Sequence, residues 1–214
     1  MPEELDDGRD VAEDVPEPEH RSGFVTFVGR PNVGKSSLVN AICGRKISIV
    51  SDKPQTTRHR IMGVLSRPGS QLVFVDTPGL HKPVSALGER VNATALDSTE
   101  DVDVQCLVLD ATKAFGMGDS WVADKLQMPS AVVIVNKIVF ASKLQVVVML
   151  GSDSDLGAEA YFQVSARSGE GIGPLVEHLV GRMPSGPRYF GDDEVSDMPE
   201  EQFIADLVRE QLLA

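Results

Sequence analysis

Residues 23–41 read "GFVTFVGRPNVGKSSLVNA". Phe24 to Val28 are aromatic, β-branched or apolar with one threonine, the composition of a strand buried on both faces. From Ser36 to Cys43 the apolar residues Leu38, Val39 and Ile42 return at helical spacing. Between the two runs, Gly29 to Ser36 spells G-x-x-x-x-G-K-S in the strand–loop–helix setting that a phosphate-binding loop requires. Such a loop curls over a helix N-terminus and turns backbone N–H groups toward anionic oxygens, and Gly34, lacking a Cβ, lets the backbone come close. Lys35 adds positive charge at the β- and γ-phosphates, and Ser36 offers a hydroxyl to Mg²⁺. An ordinary Gly-rich turn is the competing reading, and the position directly between strand and helix counts against it.

Outward from this loop, strand-like runs and helical patterns alternate. Hairpin strands are expected at Ile61 to Ser66 and Gln71 to Val75, joined by "RPGS". Further strands are expected at Val104 to Leu109, Ala131 to Val135 and Tyr161 to Val164, with helices over Leu87 to Leu96, Asp119 to Leu126, Ser142 to Leu150, Ile172 to Val180 and Pro199 to Leu213. In "SKLQVVVML", from Ser142, three adjacent valines oppose a helix that the alternation favours. The pattern argues an α/β fold: a mostly parallel six-stranded sheet with one antiparallel edge strand and helices on both faces.

The net charge of −12 over 214 residues lies at the ends. Met1 to His20 carries nine acids and one base, Ser185 to Ala214 eight acids and two bases, and Arg21 to Pro184 seventeen bases and fifteen acids. The central part can therefore sit beside a polyanion. Residues 1–21 are expected to be a disordered acidic tail, 22–183 the phosphate-binding domain, and 184–214 a linker with one further helix. Cys43 and Cys106 have no metal-ligand partner at short spacing and suit buried, reduced thiols in the cytoplasm. The chain has no apolar run of membrane-spanning length and no signal-peptide pattern.

A second element lies forty residues beyond the loop, where "QLVFV" runs into "DTPG", Asp76, Thr77, Pro78 and Gly79. A carboxylate at that strand end can hold a Mg²⁺ shell, and a glycine amide can sense a γ-phosphate. Between the two elements, "PQTTRH" contains Thr57, a candidate to reach Mg²⁺ only when the γ-phosphate is present. "IVNKIVF" places the polar pair Asn136 and Lys137 at the end of a core strand, the position where α/β sheets bind ligands.

Together these motifs, with "QTTRHRIMGV", "FVDTPGLHKP" and "VSARSGEGI", resemble the Era family of bacterial ribosome-assembly GTPases, within the translation-factor-type P-loop GTPases. The resemblance extends over about residues 21–214 and includes the tail "PRYFGDDEVSDMPEEQFIADLVREQLL". It implies that GTP or GDP is held by Gly29, Arg30, Pro31, Asn32, Val33, Gly34, Lys35, Ser36, Ser37, Asp76, Thr77, Pro78, Gly79, Asn136, Lys137, Ser165, Ala166 and Arg167. It implies Mg²⁺ at Ser36, Thr57 and Asp76, catalysis through Lys35, Thr57 and Gly79, and K⁺ near Asn32. It further implies a monomer acting on 16S rRNA and the 30S subunit, with no DNA partner. The family setting is cytoplasmic and admits peripheral association with the inner membrane, for which the sequence itself offers no support.

One contrast with Ras-like GTPases and two departures from the family pattern stand out. Leu80 follows "DTPG" where Ras-like GTPases place a water-orienting glutamine, so slow turnover is expected. Residues 184–214 lead toward the family's RNA-binding KH domain and correspond only to its linker and first helix, so no residue here is nominated for RNA. Val139 stands where the family's Asn-Lys-x-Asp pattern has the carboxylate that accepts guanine N–H groups. A nucleotide-binding remnant without guanine selectivity or RNA binding therefore stands beside the GTPase reading. A small P-loop kinase is a third, opposed by "DTPG" and the Asn-Lys pair.

Overall fold

Residues alternating between the two faces of each strand build the core. In a computed structural model, which describes residues 20–50, 61–76, 102–153 and 156–213, six strands form one sheet. They are β1 (Arg21–Val28), β2 (Ile61–Arg67), β3 (Ser70–Asp76), β4 (Val104–Asp110), β5 (Val132–Asn136) and β6 (Ala160–Gln163). Their spatial order is β2-β3-β1-β4-β5-β6. The β2–β3 pair is antiparallel, and β3–β1, β1–β4, β4–β5 and β5–β6 are parallel. The helices are α1 (Lys35–Cys43), α2 (Met117–Ala123), α3 (Lys143–Asp153), α4 (Ile172–Arg182) and α5 (Glu200–Leu213). The sequence pattern thus predicts the sheet and its single antiparallel edge.

On one face, Val25, Phe27, Cys106, Val108, Val132 and Ile134 pack against Leu38 and Val39 of α1 and Leu175 and Leu179 of α4. On the other, Leu107, Leu109, Val133 and Val135 pack against Val122 of α2 and Val146 and Met149 of α3. Consecutive valines in β5 therefore serve two cores, which explains a continuous apolar run in place of alternation with polar residues.

Helix α3 shows tertiary packing overriding propensity. Each interior valine costs about 0.5 kcal/mol against alanine in a helix, whereas burying Val146 and Met149 returns about 1.5–3 kcal/mol each. A capping box completes the start: Ser142 Oγ accepts Gln145 N–H at 3.2 Å, and Gln145 Oε1 accepts Ser142 N–H at 2.8 Å. Helix α2 begins two residues earlier than its apolar pattern suggests, because Asp119 Oδ2 accepts Gly116 N–H at 3.1 Å and satisfies the first turn.

Strand β1 starts at Arg21, one residue inside the expected tail, and Arg21 N–H donates to Gly69 O at 3.0 Å. The expected helix at Leu87 to Leu96, the loop at Pro54 to His59 and residues 1–19 lie outside the described residues. In α5, Phe203 and Leu207 are partly buried, but Val208 is 57% exposed and does not share their contact face. Burial pushes the Cys43 thiol up to about 12 and raises that of Cys106 as well, so both are inert; Cys43 is only partly buried.

Candidate functional site

Helix α1 begins directly after Gly34, whose φ of 100° and ψ of 28° give the phosphate loop its left-handed exit. Lys35 is buried, and its Nζ donates to Gly29 O and Arg30 O at 3.2 Å each, folding the side chain back over the loop. A Cβ on Gly29 would lie 2.5 Å from Val108 O, and one on Gly34 only 2.3 Å from Asn136 Nδ2. Both glycines are therefore demanded by neighbouring strands as well as by the loop. Val33 is a core residue whose carbonyl, not its side chain, faces the site.

Asn136 ends β5 in register with Asp110 of β4, so two strand ends meet beside the loop, and Lys137 follows directly. Asn136 is 1% exposed: its Nδ2 donates to Val33 O at 3.0 Å, and its Oδ1 accepts Ala166 N–H at 3.1 Å. One amide thus joins the phosphate loop, the end of β5 and the loop after β6. Lys137 Nζ donates to Asn32 O at 2.6 Å and to Asp110 Oδ2 at 2.8 Å. Among the described residues, the two non-glycine residues with positive φ are Asn32 (66°) and Lys137 (68°), and this bond links them. Each such backbone conformation costs about 1–2 kcal/mol and persists only where its surroundings hold it.

Asp110 anchors this lysine. Burial pushes its carboxyl up, but hydrogen bonds from Lys137 and Thr112, with the Lys137 charge, outweigh burial and hold it below its ordinary value. Thr112 N–H and Oγ1 both donate to Asp110 Oδ1, at 3.0 and 2.6 Å.

A cavity of about 120 Å³ opens between Gly34, Ser37, Lys137, Phe140, Ala166 and Arg167, with Asn136 and Ser165 in its wall. The Arg167 guanidinium lies over the Phe140 ring at 5.1 Å from its centroid. Ser165 is buried, and its Oγ accepts Ser168 N–H at 3.2 Å, so the side chain shapes the loop. Val139 occupies the turn Ile138–Phe140 at 45% exposure, and no carboxylate among the described residues lines this cavity. A wider cleft of about 590 Å³ shares Ser37, Ala166 and Arg167 with it.

Asp76 closes β3 and pairs in register with Phe27, two residues before Gly29. Thr57, Thr77, Pro78 and Gly79 lie outside the described residues. Arg30, at the loop tip, forms an ion pair with Asp119 at 3.1 Å. Sequence reasoning passed over Asp110, Asp119 and Phe140. For Asp110 a signal was available: a carboxylate ending the apolar run "VQCLVL", at the strand end where ligands bind. The contacts of Asp119 and Phe140 join residues 89 and 27 positions apart, and no local pattern announces them.

Comparison with known proteins matches residues 24–137 to the family described as "50S ribosome-binding GTPase". The GTPase Era of Mycobacterium sp. (strain JLS) is 44% identical over 201 residues, 91% of this chain and 67% of that protein. The chain belongs to the Era family of GTPases. The GTPase Era of Nocardioides sp. (strain ATCC BAA-499 / JS614) is 43% identical over 207 residues, 92% of this chain and 66% of that protein. Among solved structures, Era in complex with MgGDPNP and nucleotides 1506–1542 of 16S ribosomal RNA superposes with a TM-score of 0.83 at 32% identity, covering 90% of this chain and 67% of that one. A single-substitution variant of Aquifex aeolicus Era bound to GDP.AlF4- gives 0.83 at 32%, covering 89% and 66%. The chain thus spans about two thirds of the length of these relatives. As an Era-family member it is a P-loop GTPase, a hydrolase acting on GTP; the alternative of a remnant without base selectivity finds no support in these comparisons. Among the described residues, no helix is long and apolar enough to cross a membrane.

Proposed function

We propose that this chain binds GTP and GDP with Mg²⁺, hydrolyses GTP slowly and acts as a switch in assembly of the small ribosomal subunit. The observation that carries the reading is the Asn136 amide, which ties the phosphate loop to the two loops bounding the cavity. A polyphosphate over the N-terminus of α1 then places its nucleoside in that cavity, beside Lys137, Ala166 and Arg167. The backbone N–H groups of the loop from Asn32 to Ser37 receive the phosphates, and Lys35 turns its charge from two carbonyls to the β,γ oxygens. The oxygen donors of Ser36, Thr57 and Asp76 suit Mg²⁺, which when bound supplies positive charge to those phosphates. Thr77, Pro78 and Gly79 are the residues that the family resemblance assigns to sensing the γ-phosphate. Attack is in line by water; Leu80 stands where Ras-like GTPases place a water-orienting glutamine, which supports a slow intrinsic turnover.

Solved relatives hold MgGDPNP or GDP.AlF4-, one of them with a 16S rRNA fragment, which supports guanine nucleotide, Mg²⁺ and the small subunit for this chain. K⁺ beside Asn32, a monomeric state and a cytoplasmic location complete the reading, with residues 184–214 as linker and first helix toward an RNA-binding domain. Titration of labelled GDP into Lys35→Ala tests its centre: binding should be lost, and a variant that binds with wild-type affinity overturns it.

A further inference from the structure

The cavity beside the phosphate loop carries an unequal set of polar groups. Lys137 and Arg167 lie in its wall, Ala166 adds a backbone N–H, and no carboxylate among the described residues lines it. Two acids stand near by, and both are committed to other partners. Asp110 takes Lys137 Nζ at 2.8 Å on Oδ2 and Thr112 N–H and Oγ1 on Oδ1. Glu210, in the wider cleft that shares Ser37, Ala166 and Arg167, takes Lys46 Nζ and Val50 N–H. The amide oxygen in the wall, Asn136 Oδ1, is engaged by Ala166 N–H. Hydroxyls of Ser37 and Ser165 donate as readily as they accept and so favour neither kind of ligand edge. Val139, half-exposed between Ile138 and Phe140, accepts nothing.

What such a cavity reads follows from purine chemistry. The Phe140 ring and the Arg167 guanidinium offer a surface on which any purine stacks, whatever its substituents. An oxygen at purine C6 suits the donors in the wall, whereas an amino group there sets donor against donor. An amino group at C2 needs an acceptor, and a site without one gains nothing from that group.

We propose that this site selects 6-oxopurine nucleotides as a class, taking inosine nucleotides as readily as guanine nucleotides, because its donors read the oxygen at C6 while Val139 leaves the amino group at C2 unread. The proposal rests on the GTPase reading above and specifies its base recognition. It differs from a site without base selectivity, since adenine stays excluded.

Labelled GDP is bound to the wild-type chain with Mg²⁺ and displaced by unlabelled GDP, inosine diphosphate or ADP. Inosine diphosphate should compete within about three-fold of GDP, and ADP should be weaker than either by about ten-fold or more. Inosine diphosphate more than about three-fold weaker than GDP overturns the proposal, because loss of a bond to a charged acceptor costs about ten-fold or more. ADP within about ten-fold of GDP overturns it as well, since the C6 edge would then go unread. In Val139→Asp, the added acceptor should make GDP about ten-fold better than inosine diphosphate, and an unchanged ratio in the folded variant removes Val139 from the explanation and with it the proposal. The wild-type displacement decides by itself should that variant not fold. Failure of the wild type to bind GDP would instead sink the underlying reading.

Discussion

Replacing Gly34 with alanine strikes the point where the phosphate loop touches the loop after β5. At φ 100° and ψ 28° a side chain costs about 1–2 kcal/mol in backbone strain. The added Cβ would lie 2.3 Å from Asn136 Nδ2, a separation that real contacts do not reach. Asn136 is 1% exposed and must turn away, breaking its bonds to Val33 O (3.0 Å) and from Ala166 N–H (3.1 Å). At about 1 kcal/mol per bond the sum is roughly 3–4 kcal/mol, or about a 10²- to 10³-fold loss when expressed as nucleotide affinity. Urea unfolding and labelled-GDP titration of the same preparations measure the two forms this loss can take. Asn136→Ala removes the clash along with the two bonds, so in Gly34→Ala/Asn136→Ala the bonds are lost only once. The double variant should fall short of the sum of the singles by about 2 kcal/mol. Additivity within about 0.5 kcal/mol, or a Gly34→Ala protein that binds GDP within three-fold of wild type with unchanged stability, would refute this account of the junction.

Three further outcomes follow from the same contacts. Lys137→Met should destabilise by about 2–4 kcal/mol at neutral pH, since it leaves the Asp110 carboxylate, 4% exposed, with Thr112 alone. The folded Asp110 value is depressed, so this stabilisation is present above the unfolded value and lost as pH falls through the folded one; in urea titrations the gap between wild type and variant should narrow below about pH 4. Val139→Asp adds acceptors beside the cavity for guanine N–H donors and should raise the preference for GTP over ATP about ten-fold or more in competition binding; an unchanged preference would place Val139 away from the base. Gln71→Ala removes the bolt that holds Tyr189 and Phe190 and should cost about 2–4 kcal/mol, with faster proteolytic cleavage within residues 187–199 as the direct readout.

The architecture was legible because its signals are local. The "GRPNVGKS" loop needs its glycines at fixed offsets, and each strand carries its own β-branched run, so short windows suffice. The helix at α3 was the hardest to read from valines alone, since propensity spoke against it and only the second core face, filled by Val146 and Met149, reversed the balance. The Ser142–Gln145 capping box is a local signal for this helix that sequence reasoning passed over. Asn136 and Lys137 were recognisable as a polar pair at a strand end, with Lys137 suited to brace the phosphate loop, as its bond to Asn32 O does; that the Asn136 amide also holds the loop, through Val33 O, was not.

The amino-acid sequence by itself determined the order of strands and helices, the phosphate loop, and membership in a GTPase family, because these depend on residues close together along the chain. Only the tertiary structure decided that Asp110 secures Lys137, that Asn136 joins three loops, that Val195 to Asp197 line the edge of β2, and that Glu210 of α5 reaches Val50. Those bonds connect positions 27 to 160 residues apart. Whether such partners meet is set by strand register and by the packing of the two cores, and no short window of sequence encodes either.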